Sequence, residues 1–123
     1  MNRRGDAISP IPSIQPALIP QETIDQAARL LLDAAPAGSE VILFGSYARG
    51  DANADSDLDF MVVEPDVTDA RAESVRLRRA AAGVRAPMDV LVVSRQRFER
   101  WRTFVSTAAA EAHREGKVYR RGA

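Results

Sequence analysis

Cysteine is absent from this 123-residue chain, which removes disulfide frameworks and thiolate metal sites from consideration. A chain without disulfides suits the cytoplasm, the expected location. Histidine occurs once, at His113. It falls near an expected helix end, an ordinary place for a surface residue, so it is assigned neither as ligand nor as base. Long apolar runs are missing too, and none approaches the roughly 20 residues of a membrane span. Arg3 and Arg4 precede Pro10, Pro12, Pro16 and Pro20, which interrupt the apolar stretch a signal peptide needs. No membrane association is expected. Net charge is also lacking: 17 basic residues balance 17 acidic ones. General nucleic-acid binding calls for a dominant basic footprint, so direct binding of that kind is not expected either.

What is present is ordinary in bulk and uneven in detail. Hydrophobic residues make up 46% and charged residues 28%, the balance of a single globular domain with a modest core. The zero charge hides an asymmetry. Residues 1–70 hold 4 basic and 12 acidic residues, whereas residues 71–123 hold 13 and 5. The basic half is nearly all arginine, suited to bidentate contact with phosphate or carboxylate. Solvated helix faces account for most such residues. Arginines such as Arg71, Arg78, Arg95 and Arg102 are available to engage an acidic partner surface.

Two units are expected: residues 1–19, a flexible Pro-rich arm, and residues 20–123, the folded domain. Prolines in the arm remove amide donors and bias their predecessors away from helix. The spacing of Ile24, Ala28, Leu31 and Ala35 predicts a helix over residues 22–35, ended by Pro36 and Gly38. Strands are expected over 40–44, 57–63 and 88–93. A helix capped by Thr68 should run to Ala82 and stop at Gly83. Ser94 caps another that carries Phe98 and Trp101, a pair suited to core or interface. The β-branched stretch from Thr103 to Thr107 is expected to interrupt it. Residues 108–115 should be helical, and Val118-Tyr119 forms a short edge strand or packs. This order defines an α/β (α+β) chain, a small mixed β-sheet covered by helices, with the cover expected on one side.

The chemistry concentrates at residues 43–63. An apolar run ends in Gly45-Ser46, and after a polar loop Asp57 and Asp59 open a second run. Side chains alternate along a strand, so Asp57 and Asp59 point to one face. Turn capping explains one such acid but not the pair. Adjacent carboxylates repel and resist burial, and a divalent cation relieves both problems. Gly45 lets a ligand approach the backbone, and Ser46 at the start of a helical turn offers amides and a hydroxyl to a phosphate. Ser46 also suits a plain N-cap. Arg49 is equally suited to phosphate contact and to bracing the Asp loop, and Tyr47 is better suited to packing than to stacking on a base. Asp51 and Asp55 are expected to be solvated. Asp89 opens the next apolar run. If that strand lies beside the Asp57 strand, three carboxylates can hold two Mg²⁺ about 3.5–4 Å apart. Phosphate cradle and hard-metal site together imply chemistry on a nucleoside triphosphate.

The pattern Gly45-Ser46-x-Ala48-Arg49-Gly50, then Ser56-Asp57-Leu58-Asp59, then a lone strand Asp89, resembles the minimal nucleotidyltransferases of the polymerase-β-like superfamily. The resemblance runs from about Glu22 to about Tyr119 and includes the ending Arg114-Glu115-Gly116-Lys117-Val118-Tyr119. It implies the polymerase-β-like core, with residues 20–123 as the nucleotidyltransferase domain. It also implies transfer of AMP from ATP with release of pyrophosphate. Asp57, Asp59 and Asp89 are then catalytic metal ligands, with Gly45, Ser46 and Arg49 on the nucleotide. Many such proteins accompany a small helical HEPN toxin and silence it by adenylylation, so a HEPN-type partner and an antitoxin role are expected. With no added acceptor domain in the chain, the expected acceptor is a partner hydroxyl, a tyrosine, in a hetero-oligomer. The competing expectations are a non-catalytic antitoxin that neutralises by binding, and a transferase acting on a small molecule such as an aminoglycoside.

Overall fold

The computed structural model describes residues 18–104 and 107–122. Its elements are α1 (Gln21–Ala34), β1 (Glu40–Phe44), α2 (Ser46–Arg49), β2 (Leu58–Glu64), α3 (Ala70–Ala80), β3 (Met88–Ser94), α4 (Arg95–Trp101), α5 (Ala108–Glu115) and β4 (Lys117–Tyr119). Residues 1–17 of the expected arm, and Val105 and Ser106 of the expected interruption, lie outside the described residues.

Local chemistry sets these boundaries. α1 follows Pro20, whose fixed φ of −65° suits a helix entrance. It buries Ile24, Ala27, Ala28, Leu31 and Leu32 along one stripe. No basic residue occupies its last turn. Arginines from elsewhere serve that end: Arg76 donates to the Ala34 carbonyl at 2.9 Å and Arg121 to the Leu32 carbonyl at 2.6 Å. α3 is capped by Asp69 rather than Thr68, its carboxylate accepting from the Ala72 amide at 3.1 Å. A carboxylate outdoes a hydroxyl there because it also complements the helix dipole. Ser94 caps α4 as expected, accepting from the Arg97 amide.

The strands form one mixed sheet in the order β3-β2-β1-β4. β1 runs antiparallel to β2 and β4, while β2 and β3 are parallel, joined across α3. The expected single-sided cover is corrected here. Leu58, Phe60 and Val62 of β2 face α1 and α3 with Leu31 and Leu77. Met61 and Val63 face the other way, onto Phe98 of α4 and Ala109 and Ala112 of α5. β2 is apolar at both parities, and a strand of period two then needs helices on both faces.

Candidate active site

The site forms where β1 ends and β2 and β3 begin. In the antiparallel register Phe44 stands opposite Asp59, and in the parallel register Asp59 stands beside Asp89. Neighbours in register point to the same face, so Phe44, Asp59 and Asp89 form a row across three strands on the α4/α5 side. Asp57 lies one residue before β2 and is exposed, Asp59 is half-buried, and Asp89 is exposed.

Gly45 shapes this row. It is the N-cap of α2, with φ 77° and ψ −158°, a region that glycine occupies almost alone. A Cβ there would stand 2.2 Å from Oδ2 of Asp59. The missing side chain therefore makes the space the Asp59 carboxylate fills. Ser46 begins α2, so the N-cap falls on Gly45 and not on the serine. The first helical bonds run from the Ala48 and Arg49 amides to the Gly45 carbonyl. Ser46 and Tyr47 thus lie in the part of the turn whose amides have no partner inside the helix. Tyr47 packs against the α1-side core, and its hydroxyl accepts from the Ile19 amide at 3.1 Å.

The electrostatics are those of crowded negative charge. Burial pushes the Asp59 carboxyl above its ordinary range, and the charges of Asp89, Glu111 and Asp57 push the same way against Arg49. Arg49 itself is engaged by acids. Its Nη1 donates to Glu111 at 3.0 Å and to Glu115 at 3.4 Å, and its Nε donates to Asp51 at 3.2 Å. These ion pairs tie the loop after α2 to α5. Glu111 and Glu115 were not among the expected site residues. No local signal marks them, because their role depends on how α5 docks.

A cleft of about 500 Å³ opens beside Asp59 and Asp89, with Phe44, Met88, Val90 and Leu91 on the sheet side and Ser74, Val75, Arg78 and Arg79 on α3. The donor chemistry fits a hard divalent cation. The available atoms are carboxylate oxygens, and the charge that lifts Asp59 is what a cation would offset. Among the described residues no three His, Cys, Asp or Glu side chains enclose a metal position. Asp59 and Asp89 are thus neighbours across two strands, with Asp57 just before the first of them, without a closed cage of side chains.

A mixed sheet that presents two registered aspartates beside a glycine-capped turn defines a nucleotidyl-transfer domain. The chain belongs to the nucleotidyltransferase domain family, whose match spans residues 24–120. Its fold is shared with a crystal structure of a toxin–antitoxin with AMP-PNP, at 23% identity and a TM-score of 0.52, over 76% of this chain and 69% of that one. A mutant of the toxin–antitoxin MntA-HpeT matches at 24% identity and a TM-score of 0.50, over 83% and 72% of the two chains. No curated protein matches the sequence. Among the described residues no helix is long and apolar enough to cross a membrane.

Proposed function

We propose that the chain is a cytoplasmic Mg²⁺-dependent adenylyltransferase that moves AMP from ATP to a hydroxyl of a helical HEPN-type toxin, a tyrosine, and thereby acts as its antitoxin. The observation that carries this reading is the register of Asp59 and Asp89 beside Gly45. The toxin–antitoxin neighbours, one of them with AMP-PNP, support the nucleotide and the partner class.

Asp57, Asp59 and Asp89 are the residues that would hold Mg²⁺, and the ions would supply charge neutralisation of the triphosphate and acidification of the attacking hydroxyl. Gly45 and the start of α2 receive the phosphates through backbone amides and the Ser46 hydroxyl. Asp89, at the cleft, takes the acceptor proton as the hydroxyl oxygen bonds to the α-phosphorus. The bond between the α-phosphorus and its bridging oxygen breaks, and pyrophosphate leaves with the electron pair. A phenol, with an ordinary pKa near 10, suits this arrangement better than an aliphatic hydroxyl. Arg49 holds α5 and Glu111 against the loop and is a positioning residue.

The test is incubation of the full chain with its helical partner and ATP·Mg²⁺, followed by peptide mass spectrometry. An adenylylated tyrosine on the partner is expected, lost in the Asp57→Asn/Asp59→Asn double variant. Equal neutralisation of the partner by that variant, with no modified peptide, would overturn the catalytic reading in favour of simple binding.

A further inference from the structure

The cleft beside Asp59 and Asp89 has a wall that the phosphate-binding turn does not use. α3 contributes Val75, Arg78 and Arg79, and β3 contributes Val90 and Leu91. Val75 is 47% exposed and Leu91 43%, two of the few large apolar side chains left in solvent, and they face one cleft from two different elements. Among the described residues Arg78 and Arg79, like several other arginines, meet no carboxylate, and they are the two arginines that line this cleft. The wall is fixed in place, because Ser74 of α3 donates its hydroxyl to the Val90 carbonyl of β3. Its volume lies within the roughly 300–1,000 Å³ of specific pockets.

We propose that this cleft docks the acceptor segment, an acidic, hydroxyl-bearing stretch of the partner protein. It would set an apolar side chain on Val75 and Leu91 and its carboxylates on Arg78 and Arg79. The proposal rests on the transferase reading above and adds the recognition surface to it. Charge sorts the segment within the cleft. Asp59 and Asp89 repel its carboxylates and Arg78 and Arg79 attract them, so the neutral hydroxyl is what remains to approach Asp89. Of the four arginines available to engage a partner, Arg95 is paired with Glu40 at 3.0 Å and Arg102 with Glu99 at 2.9 Å, and Arg71 does not line the cleft. Arg78 lies at the cleft, where Arg79 joins it.

The experiment uses the full chain and a fluorescein-labelled random copolymer of glutamate and tyrosine, with three readouts: anisotropy for docking, calorimetry for ATP·Mg²⁺, and labelled ATP for transfer. Arg78→Glu/Arg79→Glu is expected to weaken copolymer binding by about 10-fold or more, as juxtaposed like charges do, and Val75→Asp to weaken it similarly. Arg114→Glu, an exposed change outside the cleft, should leave it within about 2-fold, the small effect of a peripheral charge. ATP·Mg²⁺ affinity should not change in any of these variants. The docking proposal is overturned if the native chain does not bind the copolymer or if Arg114→Glu weakens it as much. It is equally overturned if the double variant binds normally, or if the double variant loses ATP, which would assign the cleft to the nucleotide. Copolymer bound at the cleft but never labelled leaves docking standing and removes the transferase reading. Labelling that persists in the double variant does the reverse.

Discussion

A methyl group at position 45 would place its carbon 2.2 Å from Oδ2 of Asp59, inside any non-bonded contact distance. Gly45→Ala therefore combines two penalties: a backbone conformation worth about 1–3 kcal/mol of strain for any residue but glycine, and displacement of the carboxylate. The variant is expected to lose several degrees in Tm and to bind ATP·Mg²⁺ at least about 10-fold more weakly, the scale of a disturbed metal-site neighbour. Unchanged ATP affinity by calorimetry would remove Gly45 from the site. Asp59→Asn should behave in the opposite sense for stability. It relieves a carboxyl already burdened by burial and by Asp89, Glu111 and Asp57, so a metal-free melt should match or exceed that of the native chain. Transfer should fall by about 100-fold or more, as loss of a ligand does. Retained transfer would sink the ligand assignment. The placement of Asp59 was legible in the sequence, because alternation and a Gly-Ser turn are local patterns. Glu111 was not, since its charge bears on Asp59 only after α5 has docked on that face of the sheet.

Between elements, the far end of β2 carries a second, unrelated carboxyl pair. Glu64 is 2% exposed and its Oε2 finds no partner among the described residues. Burial pushes its carboxyl up to about 7, and the facing Glu73 of α3 adds to the shift. Glu73 is held down to about 2, mainly by its hydrogen bonds from Arg76. Below neutral pH Glu64 of β2 holds its proton against the ionised Glu73 of α3. A carboxyl with a raised pKa binds its proton more tightly folded than unfolded. Its contribution is complete below about pH 4.5 and is lost as pH rises through about 7. The Glu73 contribution runs oppositely, present above about pH 4.5 and lost as pH falls toward 2. The chain should therefore be less stable at pH 8 than at pH 5.5, by about 1–3 kcal/mol after allowance for screening. Glu64→Gln keeps the shape and the donor and should flatten that decline in denaturant midpoints. An unchanged slope would assign the titration elsewhere. The sequence marked the helix and strand here but ended the strand at Val63. Periodicity tells which residues share a face, and not which acid a helix will cover.

Over the whole molecule, the strongly acidic first half and basic second half are interleaved rather than set apart. Residues 117–121 stitch them together. β4 pairs with β1, Tyr119 donates to Asp25 of α1 at 2.8 Å, and Arg120 meets Glu40 at the start of β1. Arg121 donates to the Leu32, Ala35 and Pro36 carbonyls at the end of α1. The short edge strand was expected from Val118-Tyr119, yet its use as a clasp was not legible, because every partner lies some 75 or more positions away and loop closure over such distances leaves no local pattern. Glu40 shows why the clasp is cooperative. Its carboxyl is held below its ordinary range by Arg120 and Arg95 despite burial, so losing the tail weakens a group that also anchors α4. Deleting residues 117–123 should remove a strand ladder, one carboxylate pair and the cap of α1 together. Hydrogen bonds to charged groups contribute about 1.5–3 kcal/mol each, so a loss of about 3 kcal/mol or more is expected. The matching drop in Tm is 10 °C or more for a domain of this size. Arg121→Ala alone should cost about 1.5–3 kcal/mol, the weight of hydrogen bonding by a charged group at a helix end. If the truncated chain melts within a few degrees of the full one, the tail is a passenger, and the sheet with α1 and α3 holds the fold unaided.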